Sequence, residues 1–208
     1  RRGVPLSYPQ EASRVNVACA APCTGVPGTL DHLGLCALFD GLFLPGENTR
    51  LLSGGEEPVY LPADQLIPQH RVVFRHDYVS SALHEVAHWC IAGPARRLLP
   101  DYGYWYSPDG RSAEHQIAFE RLEARPQALE WIFSRACGLP FRPSIDNLNG
   151  TPADAAAFAE AIAREAQQRC VQGLPHRAAR FRAALLERCG TDAALRATDF
   201  RVDPAWTP

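Results

Sequence analysis

The chain is predicted to adopt an α+β fold, with a small sheet and several packed helices around a metal-binding helix. Three observations predict it. Short apolar runs at residues 58–61 and 71–75 read as strands. A string of amphipathic segments follows them. Between the two groups lies His84-Glu85-Val86-Ala87-His88, an HExxH sequence whose histidines share one helix face. The chain has 208 residues, 46% of them hydrophobic, which suits one domain with a sizeable core.

Residues 1–28 contain scattered prolines and small residues, and are expected to form a flexible extension. They lack the long apolar run of a signal peptide. Residues 29–198 are expected to form a single catalytic domain, and 199–208 an irregular tail. The first helix is predicted over residues 31–43, with Leu30, Leu33, Cys36, Ala37 and Leu38 on its apolar face and Thr29 or Asp31 as cap. Residues 47–55 are polar and contain glycine, and read as a loop. The two strands come next. Ser80 or Ser81 starts the motif helix, and Gly93-Pro94 ends it.

Residues 94–110 hold Tyr102, Tyr104, Trp105 and Tyr106 close together. They read as an aromatic loop, either packed over the core or forming a cleft wall. A helix from 112 to 123 is expected to stop at Arg125-Pro126, with a new helix over 127–137. After a turn-rich loop at 138–151, an alanine-rich helix reaches about residue 171, and a last amphipathic helix covers 176–189.

The formal net charge is -2, which gives no support to a nucleic-acid partner. No run approaches the length of a membrane span. Seven cysteines, an odd number, fall at scattered positions, and Cys19 and Cys23 lack a second pair to complete a zinc motif. This usage fits a reducing cytoplasm better than a disulfide framework.

Two histidines need a further ligand, and Glu123 or Glu120 on the next predicted helix is the best supply. Glu114, His115 and Asp109 are weaker candidates, and His70 or His76 could supply a third imidazole. His32 and His176 read as surface or local packing residues. A zinc-protease-like fold assembles two histidines and a distant glutamate in this way. The ligand set leaves the reaction open. Zinc at such a site activates water, with Glu85 as base. Iron held by two histidines and one carboxylate leaves positions for oxygen and substrate. Arg96, Arg97 and Arg111 flank the aromatic stretch, where they could meet an acidic partner or a substrate carboxylate. Asp101 and Asp109 are placed to orient them.

Over residues 36–148 the chain also resembles the elongation factor P hydroxylases. The resemblance is carried by Asn48-Thr49-Arg50-Leu51, Glu57-Pro58-Val59-Tyr60-Leu61-Pro62-Ala63 and Arg71-Val72-Val73-Phe74. Its strongest part is Ser81-Ala82-Leu83-His84-Glu85-Val86-Ala87-His88-Trp89-Cys90-Ile91-Ala92-Gly93, then Ala95-Arg96-Arg97 and Asp101-Tyr102-Gly103-Tyr104-Trp105-Tyr106. Pro108-Asp109-Gly110-Arg111, Phe119-Glu120, Glu123, Pro126-Gln127-Ala128-Leu129, Trp131 and Asp146-Asn147-Leu148 continue it.

The resemblance implies a zincin-related α+β fold and oxygen-dependent hydroxylation of the beta-lysyl-modified lysine of elongation factor P. It implies Fe(II) at His84, His88 and Glu123, with Glu120 as the rival ligand and molecular oxygen as cosubstrate. Zinc or another divalent metal can replace iron in a preparation. Glu85 would orient a ligand or manage a proton. Tyr104, Trp105 and Tyr106 would line the lysine channel, and Arg96, Arg97 and Arg111 would steer the protein partner. A zinc peptidase, or a translation-factor-binding protein without catalysis, would share the motif.

Overall fold

A computed structural model describes residues 30–101, 113–144 and 152–206. Its elements are α1 (His32–Glu47), β1 (Thr49–Gly55), β2 (Val59–Leu61), β3 (His70–Arg75), α2 (Val79–Ile91), α3 (Ala113–Ala136), α4 (Pro152–Gln172) and α5 (His176–Cys189), with short 3-10 turns at Arg96–Leu98, Ala197–Asp199 and Pro204–Trp206. The α+β class holds, with five helices and a three-stranded sheet among the described residues.

Asp31 begins α1 by accepting the Gly34 N–H at 2.8 Å, which satisfies one of the donors a helix start leaves open. Leu35, Phe39 and Phe43, one turn apart, are fully buried. Phe39 and Phe43 meet Trp89 of α2 at 5.0 and 4.7 Å between ring centres. Each such ring contributes about 1.5–3 kcal/mol by leaving water. The helix closes at Asn48, which takes a left-handed conformation (φ 47).

The loop expected over 47–55 is instead mostly strand. β1 lies parallel to β3, with Leu51 opposite Val72, and β2 runs antiparallel along the other side of β3. Asp40 of α1 fixes the start of β1, accepting from the Leu51 N–H at 2.9 Å and from Arg50 Nε at 2.9 Å. Leu51 is buried. The strand is made by pairing with residues some twenty positions away, which a local reading of a glycine-containing stretch does not capture. At Gly55 any side chain would meet the Glu57 carbonyl at 2.8 Å.

α2 packs against β3 and α3 through Ala82, Leu83, Val86, Ala87, Trp89 and Cys90. Its N-cap is Tyr78, without a side-chain cap. Ser81 does not cap; its hydroxyl accepts the Arg75 N–H at 3.1 Å and ties the helix to the end of β3. Arg177 of α5 holds the other end, donating to the carbonyls of Cys90 (3.3 Å) and Ala92 (2.5 Å) with its guanidinium 4.5 Å from the Trp89 ring centre. A cation at a helix C-terminus is favourable for both its hydrogen bonds and its charge.

The predicted break at Arg125-Pro126 does not occur: α3 runs continuously through Pro126. The proline offers no N–H to the Leu122 carbonyl, at a cost of about 3 kcal/mol. Ala124, Ala128, Leu129, Trp131, Ile132 and Phe133 are buried on either side of it, and that burial outweighs the local cost.

α4 packs on α3, and α5 on α2 and α3. Phe133 meets Phe181 edge-on at 5.1 Å. The tail read as irregular supplies packing as well: Phe200 is buried, and it and Trp206 stand 5.0 and 4.8 Å from Trp131. The expected extension and the turn-rich stretch around 146–150 lie outside the described residues.

Candidate metal centre

The apolar side of α2 faces the core, so the turn spacing leaves His84 and His88 together on its half-exposed side. α3 crosses them and supplies Glu123, whose side chain is 6% exposed. One Glu123 oxygen lies 3.5 Å from His84 Nε2 and 3.4 Å from His88 Nε2. The two Nε2 atoms are 3.0 Å apart. Ligands held about 2.1 Å from one ion at cis or tetrahedral angles stand about 3.0–3.4 Å from each other. Two imidazole nitrogens and a carboxylate oxygen at these separations therefore fit a divalent ion.

A second carboxylate stands behind the first. Glu130 Oε2 is 2.8 Å from His84 Nδ1. It accepts the Nδ1 proton and turns Nε2 toward the ligand cluster, the outer contact found at histidine metal sites. No motif in the sequence marks Glu130. It follows Glu123 by two turns, so an unbroken helix puts both on one face. The expected break at Pro126 hid that relation.

Burial alone would pull the His84 imidazole down. The Glu130 hydrogen bond and the charges of Glu130, Glu85 and Glu123 outweigh it and raise the group to about 10. Without a metal, His84 therefore carries a proton on Nε2, in the place an ion would take. Ion uptake must expel it. Zn(II) binding to metal-free protein is expected to release close to one His84 proton per ion at neutral pH and to weaken as pH falls. Calorimetry in buffers of different ionisation heat measures that proton; release near zero would contradict the assignment.

Glu85 and His88 line a small cleft of about 30 Å³ beside the cluster. Val72, Trp89 and Ala92 give the cleft apolar walls, and Tyr60, Arg96, Arg97 and Asp101 complete it. Burial pushes the Glu85 carboxyl up, against the pull of His84 and His88 and with the push of Glu123 and Asp101. Asp101 accepts from Arg96 Nε and Nη2 at 2.6 and 2.8 Å. It also pairs with the backbone of Tyr60 on the β2 edge. Arg97 donates to Glu47 at 2.8 Å.

The other candidates are placed elsewhere. Glu120 is half-buried on α3 and does not belong to the gathered ligand cluster. His70 Nδ1 accepts from the Ala63 N–H at 3.0 Å and stands 2.9 Å from the Tyr60 hydroxyl. His76 packs on Tyr78. Neither histidine joins the cluster. His32 is half-buried and His176 exposed. Tyr104, Trp105, Tyr106, Asp109 and Arg111 lie outside the described residues, as do the side chains of Glu114 and His115.

A two-histidine helix crossed by a helix with an inner and an outer carboxylate defines a candidate metalloenzyme centre. The chain matches the family model for elongation factor P hydroxylase over residues 38–200. It is 45% identical over 168 residues to the Elongation factor P lysine hydroxylase of Haemophilus influenzae, covering 81% of this chain and 94% of that protein. The chain belongs to the elongation factor P hydroxylase family and is an enzyme of the hydroxylase class.

Proposed function

We propose that the chain hydroxylates the beta-lysylated lysine of elongation factor P, with Fe(II) at His84, His88 and Glu123 and molecular oxygen as cosubstrate. The observation that carries this reading is the ligand cluster of two imidazoles and one carboxylate in a chain of this family. The name of the Haemophilus influenzae relative supports elongation factor P lysine as the substrate. Two nitrogens and one oxygen on one side of an ion suit a non-heme iron site with open positions. When bound, a redox-active ion supplies those positions and the electrons that activate oxygen.

The chain's own residues do the rest. Glu130 fixes the His84 ring. Glu123 balances charge from a buried position. Zinc or another divalent ion would take the same ligands without supporting turnover. The reading is of a zincin-like core, because the HExxH helix packs on a sheet strand and takes its third ligand from the next helix. Residues 29–198 form the catalytic domain on this view, with Phe200 and Trp206 packing onto it from the tail. Cys36, Cys90, Cys137, Cys170 and Cys189 are free thiols, in keeping with a cytoplasmic enzyme.

Intact-mass analysis of beta-lysylated elongation factor P tests the reading. Fe(II)-loaded protein with oxygen and a supplied reductant is expected to add about 16 Da, one oxygen atom, while the second atom leaves as water. Exclusion of oxygen, or His84→Ala, removes the gain. An unchanged mass with confirmed metal occupancy and partner binding would overturn it.

A further inference from the structure

We infer that Cys137 and Cys189 form a reversible disulfide site, oxidised by small disulfides of the glutathione type, which staples the end of α3 to the end of α5. These helices support the ligand cluster. Glu123 and Glu130 lie on α3, and Arg177 of α5 holds the end of α2 through the carbonyls of Cys90 and Ala92.

The fold brings the two thiols together from distant parts of the chain. Each cysteine immediately precedes a glycine in the left-handed conformation, Gly138 (φ 69) and Gly190 (φ 65), just past the ends of α3 and α5. The two helix ends meet there. Thr191 Oγ1 donates to the Ala136 carbonyl, and a side chain on Gly138 would touch Thr191 Cγ2 at 4.0 Å. Between these contacts the thiols of Cys137 and Cys189 hydrogen-bond to each other. Both cysteines pack against the core yet are partly exposed, and Gly138 and Gly190 beside them are exposed. A small oxidant can therefore approach them. Closing the bond brings the sulfurs from hydrogen-bond contact to about 2.05 Å.

The other described thiols have different surroundings. Cys36 sits beside Asp40 and Arg50, and Cys90 beside Arg177. Cys170 donates to the Ala166 carbonyl of its own helix at 3.2 Å. Burial pushes the Cys137 thiol up, and Cys189 beside it adds to the rise, so Cys137 is protonated at neutral pH and acts second. Cys189 gives up its proton and attacks one sulfur of glutathione disulfide. That S–S bond breaks, and the first glutathione leaves as a thiolate and takes up a proton. Cys137 then gives up its proton, attacks the Cys189 sulfur of the mixed disulfide and expels the second glutathione. The two cysteines lose two electrons and two protons, and one glutathione disulfide becomes two thiols. A reducing compartment runs the exchange backwards, so the bridge is transient there.

The test incubates the folded full chain with oxidised glutathione, quenches it in acid, alkylates the remaining thiols under denaturing conditions and maps the peptides. Wild type is expected to yield a linked peptide pair containing Cys137 and Cys189, undone by dithiothreitol, with Cys36, Cys90 and Cys170 alkylated. Cys137→Ser is expected to trap glutathione on Cys189, because the second thiol is gone. The bridge closes a loop of about 50 residues in the unfolded chain, so oxidised wild type should unfold at a higher denaturant concentration than reduced wild type. Cys137→Ser and Cys189→Ser should lose that difference. Glutathione held on Cys137 or Cys189 of wild type without the linked pair overturns the inference. Linkage of Cys36, Cys90 or Cys170 in place of this pair overturns it, as does complete resistance of both thiols to the oxidant. These three outcomes are read on wild type, so they hold even where a serine variant fails to fold.

Discussion

A Glu123→Ala variant is expected to fold and to lose its divalent-ion affinity by more than the roughly 100-fold that marks the upper end for outer contacts. Glu123 supplies the carboxylate of the gathered cluster, and its oxygen is within 3.5 Å of both histidine Nε2 atoms. Removal leaves two imidazoles from one helix turn. The metal-free fold should tolerate the change. His84 keeps Glu130 at 2.8 Å, and alanine favours the helix interior. The stabilisation an ion gives wild type, about 2.7 kcal/mol at a hundred times its dissociation constant, disappears in the variant. Competition against a chromophoric chelator measures the affinity, and thermal unfolding with and without Zn(II) measures the stabilisation. Hydroxylation should fall at least as far as affinity.

Glu120→Ala is the control that gives this result its meaning. At about 100° per residue, Glu120 sits about 60° around the helix from Glu123, whereas Glu130 is only about 20° away. The variant is expected to bind the ion as wild type does. The opposite pattern, with Glu120→Ala losing the ion and Glu123→Ala keeping it, would move the third ligand to Glu120.

Spacing alone left Glu120 and Glu123 both open and only the family resemblance favoured Glu123, because the choice depends on how α3 crosses α2, and that is set by packing. The histidines were legible because two residues one turn apart share a face wherever their helix sits. Strand β3 was legible from its apolar centre, Val72-Val73-Phe74. β1 was not, since Leu51 and Leu52 are its only large apolar residues and its identity comes from parallel pairing with β3. Pro126 misled for the opposite reason: a strong local rule gave way to burial along the whole of α3. That error concealed Glu130, whose meaning depends on an unbroken helix. The cleft joins Tyr60, Glu85 and Asp101 from separate segments, so no spacing in the chain announces it.

Glu130→Ala is expected to weaken ion binding by about 10–100-fold, and the size of the effect should depend on pH. Two consequences of Glu130 oppose each other. Its acceptance of the Nδ1 proton fixes the His84 ring and makes Nε2 a better ligand. Its hydrogen bond and charge also raise His84, to about 10, so at neutral pH an entering ion must first displace a proton. The variant loses the first and is relieved of the second. Wild-type affinity should therefore climb more steeply from pH 7 to pH 9 than that of the variant, and the deficit of the variant should widen over that interval. Proton release per ion at neutral pH should fall below the wild-type value. Glu130→Gln keeps an oxygen that accepts from Nδ1 but carries no charge, so it should retain ring orientation and release fewer protons. A constant deficit at every pH, with unchanged proton release, would mean that Glu130 acts on the fold of α3 and not through His84.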